Sequence, residues 1–132
     1  MQFPIRVYYE DTDAGGVVYH AQYLNFFERA RTELLRTLSF SQQRLLSKKI
    51  AFVVKKIEID YKLAAHLDDM LIVETEIVKL KKASIIFRQK LWRDEECLNE
   101  ATVVVACVNL EKMKPIVIPD VILIQLQAVG SF

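Results

Sequence analysis

The sequence predicts an α+β fold in which a five-stranded antiparallel sheet wraps round one long helix. Three observations lead there. Apolar residues from His20 to Leu38 recur at helical spacing, which no other stretch sustains for as long. Four later segments alternate apolar and polar residues with the period of a strand. Only short polar turns separate those segments, which suits hairpins and leaves no room for the crossover helices of a parallel sheet.

Taken in order, Phe3 to Asp11 is the first expected strand. Ile5, Val7 and Tyr9 alternate with Arg6, Tyr8 and Glu10, and Pro4 is tolerated near the beginning. Gly15-Gly16 breaks the extended run. In the helix that follows, Tyr23, Phe27, Ala30, Leu34 and Leu38 share one face, joined by Leu24 and Leu35, while Glu28, Arg29, Glu33 and Arg36 point elsewhere. Its length of ~28 Å spans a sheet, so it is expected to be buried. Gln42 to Lys48 suggests a short second helix capped by Ser39 or Ser41. From Ile50 the pattern is β, with Ile57, Ile59, Tyr61 and Leu63 facing inward between Lys56, Glu58, Asp60 and Lys62. Leu71 to Leu80, Ser84 to Arg93 and Cys97 to Leu110 follow as strands. Asp68-Asp69, Lys81-Lys82 and Asp94-Glu95-Glu96 are the turns before them, and Glu74 and Glu76 take the wet face of the first of the three. The run Val103 to Val108 is apolar on both faces, which marks a central strand. Pro115 and Pro119 bracket a short extended piece, and the tail from Asp120 is expected to form a helical turn or two.

A chain of 132 residues is expected to be a single domain spanning 1–132. With 52% apolar and 27% charged residues it can fill a core, although so small a domain leaves surface for a partner subunit to cover. Lys+Arg 18 against Asp+Glu 17 gives a net charge of +1, which argues against a nucleic-acid binder. Lysines 48, 49, 55, 56, 79, 81 and 82 fall near expected strand ends. They suit the phosphates of a nucleotide-bearing substrate, an acidic carrier protein, or simply a solvated rim. Cys97 and Cys107 share one strand, cannot readily meet, and are expected to be buried reduced thiols. The start Met1-Gln2-Phe3-Pro4 lacks signal-peptide features and no apolar run approaches ~18 residues, so the expected setting is cytoplasmic, without a membrane span.

The chemistry gathers between Tyr8 and Tyr23. Asp13 lies past the expected strand, beside the glycines and just before the helix. A helix start leaves backbone N–H groups open and partly positive, where a developing oxyanion is stabilised. A carboxylate close by is placed to act as a general base. Equally open is that Asp11 or Asp13 only caps the turn or the helix. The His20 imidazole is a candidate acid, ligand or substrate contact, or a bystander whose backbone alone matters. His66 is the sole other histidine and gives no metal-binding spacing, so no metal is expected. Nucleophile-elbow, phosphate-loop and dinucleotide patterns are missing, and no cofactor is expected. Tyr23, Phe26 and Phe27 read as core, with one ring available to line a substrate pocket.

The run Tyr8-Tyr9-Glu10-Asp11-Thr12-Asp13-Ala14-Gly15-Gly16-Val17-Val18-Tyr19-His20-Ala21-Gln22-Tyr23, followed by Phe26-Phe27-Glu28-Arg29-Ala30-Arg31, resembles the hotdog-fold acyl-CoA thioesterases. It is most similar to their branch associated with the bacterial Tol–Pal envelope system, a relative of 4-hydroxybenzoyl-CoA thioesterase. Ala51-Phe52-Val53-Val54, Leu67-Asp68-Asp69-Met70 and Lys112-Met113-Lys114-Pro115 extend the resemblance over nearly the whole chain. It implies a hotdog fold and hydrolysis of an acyl-CoA to a free acid and CoA. It also implies Asp13 as catalytic base or nucleophile and the His20 backbone N–H as the donor that polarises the thioester carbonyl. The substrate would lie against Gly16, Val17, Tyr19 and Tyr23. Ala14 stands where the aromatic-substrate relative has proline and His20 where it has tyrosine, which favours an aliphatic acyl group. The implied partners are an acyl-CoA, acyl carrier protein as a second thiol carrier, and further copies of the chain in a homodimer or homotetramer. The implied location is cytoplasmic, near the inner face of the membrane. Two other readings remain: a hotdog dehydratase or hydratase, and a non-catalytic acyl-thioester binding or scaffold protein.

Overall fold

A computed structural model describes residues 1–38, 40, 42–130 and 132. Its elements run β1 (Gln2–Arg6), a 3-10 turn (Tyr9–Asp11), α1 (Gln22–Arg36), α2 (Gln42–Ser47), β2 (Ile50–Tyr61), β3 (Met70–Leu80), β4 (Ser84–Arg93), β5 (Glu96–Asn109), β6 (Lys114–Pro115) and α3 (Asp120–Val129). The sheet order is β1-β3-β4-β5-β2, antiparallel throughout, with β6 beside the end of β5. Among the described residues no helix is long and apolar enough to cross a membrane.

Alternation explains the strands. In β3, Leu71, Val73, Thr75 and Ile77 are buried while their neighbours are not. The run from Val105 to Val108 is buried on both faces, as its composition demands for the strand between β4 and β2. Three one-residue register shifts bend the sheet: Lys55 in β2, Val78 in β3 and Leu98 in β5 each have no direct partner opposite. The curl receives one face of α1, whose Tyr23, Phe26, Phe27, Ala30, Leu34 and Leu35 enter the same core as Ile5, Leu71, Phe87 and Val103.

Several expectations change. The first strand ends at Arg6 instead of Asp11, because the Tyr8 amide donates to Asp11 Oδ2 and folds the chain into the 3-10 turn. Tyr9, expected inward, is therefore 81% exposed. α1 starts at Gln22, with His20 and Ala21 in the turn leading into it, and ends at Arg36. Asn25, Glu28 and Arg29 face solvent, so the helix is covered on one side only. Leu24 is half-buried, while Tyr23, Phe26 and Phe27 are core as expected. Ser39 and Ser41, the expected caps of α2, lie outside the described residues. Leu63 lies beyond β2 and is exposed with Tyr61. Lys55 and Lys56 sit within β2, away from its ends. The sheet gains a sixth strand in β6, and α3 is a full ten residues because Ile122 and Leu126 plug one end of the core. Cys107 is buried and Cys97 half-buried; both are free thiols.

A polar network crosses the core. Arg31, only 6% exposed, donates to Gln89 Oε1 at 2.9 Å, and Gln89 Nε2 donates to the Phe27 carbonyl and Thr75 Oγ1. Burial lowers the Arg31 pKa, against the pull of Glu28. Gln89→Leu would strip the guanidinium of this acceptor and is expected to cost about 1–3 kcal/mol. Arg31→Met together with Gln89→Leu should recover much of that loss, since both polar groups then leave the interior. Urea unfolding of the single and double variants checks both values.

Candidate active site

The segment from Tyr8 to His20 is a closed loop built on Asp11. This carboxylate is 3% exposed. Its Oδ2 accepts from the Tyr8 amide at 2.8 Å and its Oδ1 from Gln22 Nε2 at 2.8 Å. Its carbonyl accepts from the Tyr19 amide at 3.0 Å. One residue therefore joins the exit of β1, the far arm of the loop and the first residue of α1. Both aspartates cap turns, Asp11 the 3-10 turn and Asp13 the turn at Gly15, and neither caps α1, whose N-cap is Ala21.

Asp13 stands at the exposed tip of the same loop. Thr12 bridges Val18, the Asp13 amide donates to the Val17 carbonyl at 2.9 Å, and the Gly16 amide donates back to the Asp13 carbonyl at 3.1 Å. Gly16 has φ +80, a conformation that L side chains rarely adopt. A Cβ on Gly15 would come within 3.2 Å of Asp13 Oδ1, which accepts from the Gly15 amide at 2.8 Å. One carboxylate oxygen is thus fixed within its own turn, and the other has no hydrogen-bond partner among the described residues. Asp13 and Gly16 line an open hollow of about 380 Å³ with Tyr9, Thr12, Ala14 and Leu67.

His20 belongs to a second hollow, of about 270 Å³, with Val18, Tyr23, Tyr61, Lys62, Leu63 and Ala64. Its ring lies 4.5 Å from that of Tyr19, centroid to centroid, and edge-on to Tyr61 at 6.5 Å. It makes no hydrogen bond to Asp13. The His20 carbonyl accepts from the Tyr61 hydroxyl at 3.0 Å, while its amide meets no acceptor among the described residues. The Tyr23 hydroxyl accepts from the Ala65 amide, and burial raises its pKa more than that hydrogen bond lowers it. Between the hollows, Val17 bridges His66 and the Val18 amide donates to the Ala65 carbonyl. The loop therefore brings Asp13 with Gly16 and His20 with Tyr23, while Val17, paired with His66, lines neither hollow. Tyr19 is exposed on the outer side.

Residues distant in sequence complete the frame. Arg93 Nη1 donates to Asp69 Oδ2 at 2.9 Å and to the Ala64 carbonyl at 3.1 Å, and its Nη2 reaches Glu96 at 3.3 Å. Asp69 Oδ2 also accepts from the His66 amide. Leu98, the extra residue in the β4–β5 ladder, offers its carbonyl on the β2 side to the amides of Lys62 and Leu63, 2.9 and 3.0 Å away. Spacing did not point to Tyr61, Arg93 or Leu98. Tyr61 had the look of an ordinary inward strand residue, and a bulge leaves no mark on composition. Lys62 lines the second hollow, and strand-end position does not single it out.

A curled antiparallel sheet packed round one long helix is the hotdog fold of the thioesterases. The family model of the thioesterase superfamily matches residues 15–98, and the chain belongs to that superfamily. Over 118 residues it is 64% identical to the acyl-CoA thioesterase YbgC of Haemophilus influenzae, covering 89% of this chain and 87% of that one. It is 54% identical over 119 residues to the acyl-CoA thioester hydrolase YbgC of Escherichia coli, covering 89% of each. Among solved structures, a probable thioesterase from Bartonella henselae superposes with a TM-score of 0.86 at 41% identity, covering 90% of this chain and 98% of that one.

Two outcomes are expected. Asp11→Ala leaves the Tyr8 amide and Gln22 without their acceptor and should lower stability by about 1–3 kcal/mol, read as a shift of the urea midpoint. For Asp69, burial raises the carboxyl pKa, but the His66 amide and Arg93 together outweigh it and hold the pKa below the ordinary value. A pKa depressed in the fold contributes stability above the ordinary carboxylate range and loses it as pH falls through the folded value. The stability gap between wild type and Asp69→Asn should therefore be full at neutral pH and close in acid, in urea titrations run across that range.

Proposed function

We propose that this chain hydrolyses acyl-CoA thioesters, aliphatic in preference to aromatic, with Asp13 and the His20 amide as the working groups. The observation that carries the reading is the loop from Asp13 to His20. Within eight residues it presents a solvent-open carboxylate with one oxygen uncommitted, and a backbone donor without an acceptor, among the described residues. In a chain of the thioesterase superfamily these are the two groups that thioester hydrolysis needs.

The His20 N–H would hold the thioester oxygen as negative charge gathers there. Asp13 either takes a proton from the attacking water or attacks the carbonyl itself, giving a mixed anhydride that water then opens. Both routes end in a carboxylic acid and free thiol. Gly16, Val17, Tyr19 and Tyr23 are the proposed substrate contacts, with the acyl group against the apolar side of the Tyr23 hollow. The preference for aliphatic substrates rests on Ala14 and His20. A dehydratase would need an imidazole converging with the carboxylate, and the His20 ring instead packs against Tyr19 and Tyr61. Acyl carrier protein is a proposed alternative thiol carrier, and the cytoplasm the proposed setting. We also propose a homodimer or homotetramer: β2 is a twelve-residue edge strand, and an unpaired edge of that length is a template for pairing.

Thiol release from short, medium and long acyl-CoA and from 4-hydroxybenzoyl-CoA, run with wild type and Asp13→Asn, tests the reading. The variant should keep its circular dichroism spectrum and lose turnover by about a hundredfold or more. Near wild-type turnover would remove Asp13 from the chemistry. A single turnover in isotopically labelled water then separates the routes, since only covalent attack leaves label in the Asp13 carboxylate.

A further inference from the structure

The net charge of +1 conceals a strongly polar molecule. Strand registers place three lysine-bearing turns at one end of the sheet. Lys48 and Lys49 precede β2, Lys79, Lys81 and Lys82 surround the β3–β4 turn, and Lys112 and Lys114 flank the turn after β5. All are exposed, and the acidic residues in these turns and at the start of α3 are Glu111 and Asp120. The turns touch through their backbones: the Leu110 amide donates to the Lys49 carbonyl, the Ile118 amide to the Lys82 carbonyl, and Lys114 pairs with Asn109. The candidate active site lies at the other end of the strands, where Tyr61, Met70, Arg93 and Glu96 begin or finish their elements. These lysines therefore do not face the site of their own subunit.

Apolar side chains project from the same basic end. Met113, at φ 50, is 65% exposed at the tip between Lys112 and Lys114. Val117 is exposed beside it. Helix α3 buries Ile122 and Leu126 and turns Val121, Ile124 and Ala128 outward, with Ile124 64% exposed and no charged residue after Asp120. After Asp120 the exposed residues of α3 are Val121, Ile124, Gln127, Ala128 and Val129, a largely apolar outer side that calls for a covering.

We propose that this end of the molecule docks on an anionic phospholipid bilayer, with Met113 and the outer stripe of α3 entering the interface and the lysines pairing with headgroup phosphates. Lysine stems lie along apolar surface while their ammonium groups reach the headgroups, and a cluster of this size is drawn to a negative leaflet. A turn tip and the outer face of a helix are convex, which suits a bilayer better than a peptide that needs a cleft. A second copy is disfavoured, because a two-fold contact would set lysine cluster against lysine cluster. The proposal is independent of the hydrolytic reading.

The test is co-sedimentation of the full chain with phosphatidylcholine vesicles, with and without phosphatidylglycerol, at low and high salt. Binding is expected on the anionic vesicles alone, and should weaken by about tenfold or more in high salt and in Lys112→Glu/Lys114→Glu. Met113→Asn, which leaves the charge of the cluster unchanged and tolerates the positive φ, should weaken it comparably. Circular dichroism and sedimentation of the free variants confirm that they fold. No binding to anionic vesicles, or binding that Met113→Asn leaves unchanged, would overturn the proposal. Saturable binding to an acidic protein without vesicle binding would also overturn it, as would a change of oligomeric mass in these variants.

Discussion

A buried carboxylate held by neutral donors is the constraint from which the rest of the candidate site follows. Asp11 gathers the Tyr8 amide, the Gln22 side chain and the Tyr19 amide around a single residue. It thereby fixes where β1 stops, where α1 begins and how far the loop between them can open. With both oxygens committed inward, Asp11 leaves the neighbouring aspartate at the tip as the one free to meet solvent. The division of labour between two carboxylates two residues apart is a matter of geometry, since their side-chain chemistry is identical.

The loop is not self-sufficient. Its outer arm leans on Ala65 and His66; Arg93 at the end of β4 holds Ala64 and Asp69 on either side of them, and the carbonyl of Leu98 in β5 holds Lys62 and Leu63 just before. The site is therefore assembled by segments that begin at Tyr8, Lys62 and Arg93, and it depends on the sheet joining them. Hydrogen bonds to an ionised group in a partly dry setting outweigh those on open surface, so Arg93 matters more to this frame than an exposed ion pair such as Lys56–Glu58.

Much of this was legible in the sequence, and the failures share a physical cause. β4 has the bounds its alternation predicted, and α1 differs by two residues at each end, because period and length determine such elements locally. Tyr8 to Asp11 went wrong since alternation continues in the letters while a carboxylate three residues ahead captures the backbone. α3 was underestimated because its apolar residues show no clean period, and tertiary burial of Ile122 and Leu126 supplies what local pattern lacks. At the candidate site, the loop and its glycines were readable; which aspartate is buried was not, and neither was Tyr61 reaching the His20 carbonyl. The first depends on how the loop from Tyr8 to Gln22 closes on itself, and the second on a contact between residues 41 apart in the chain. The gathering of lysines at one end is of the same kind: it is a property of strand order, to which a list of charges is blind.

The three register shifts have a consequence for how such a chain can vary. Lys55, Val78 and Leu98 are surplus to the ladders they interrupt; without any one of them the flanking residues would still pair one to one. What would go is the bend, and with Leu98 the carbonyl that holds Lys62 and Leu63. The grip of the sheet on its helix is thus written in the number of residues per strand more than in their identity. A lineage of this fold can exchange most of its side chains and keep its shape, while losing a single residue from a strand straightens the sheet around an unchanged composition.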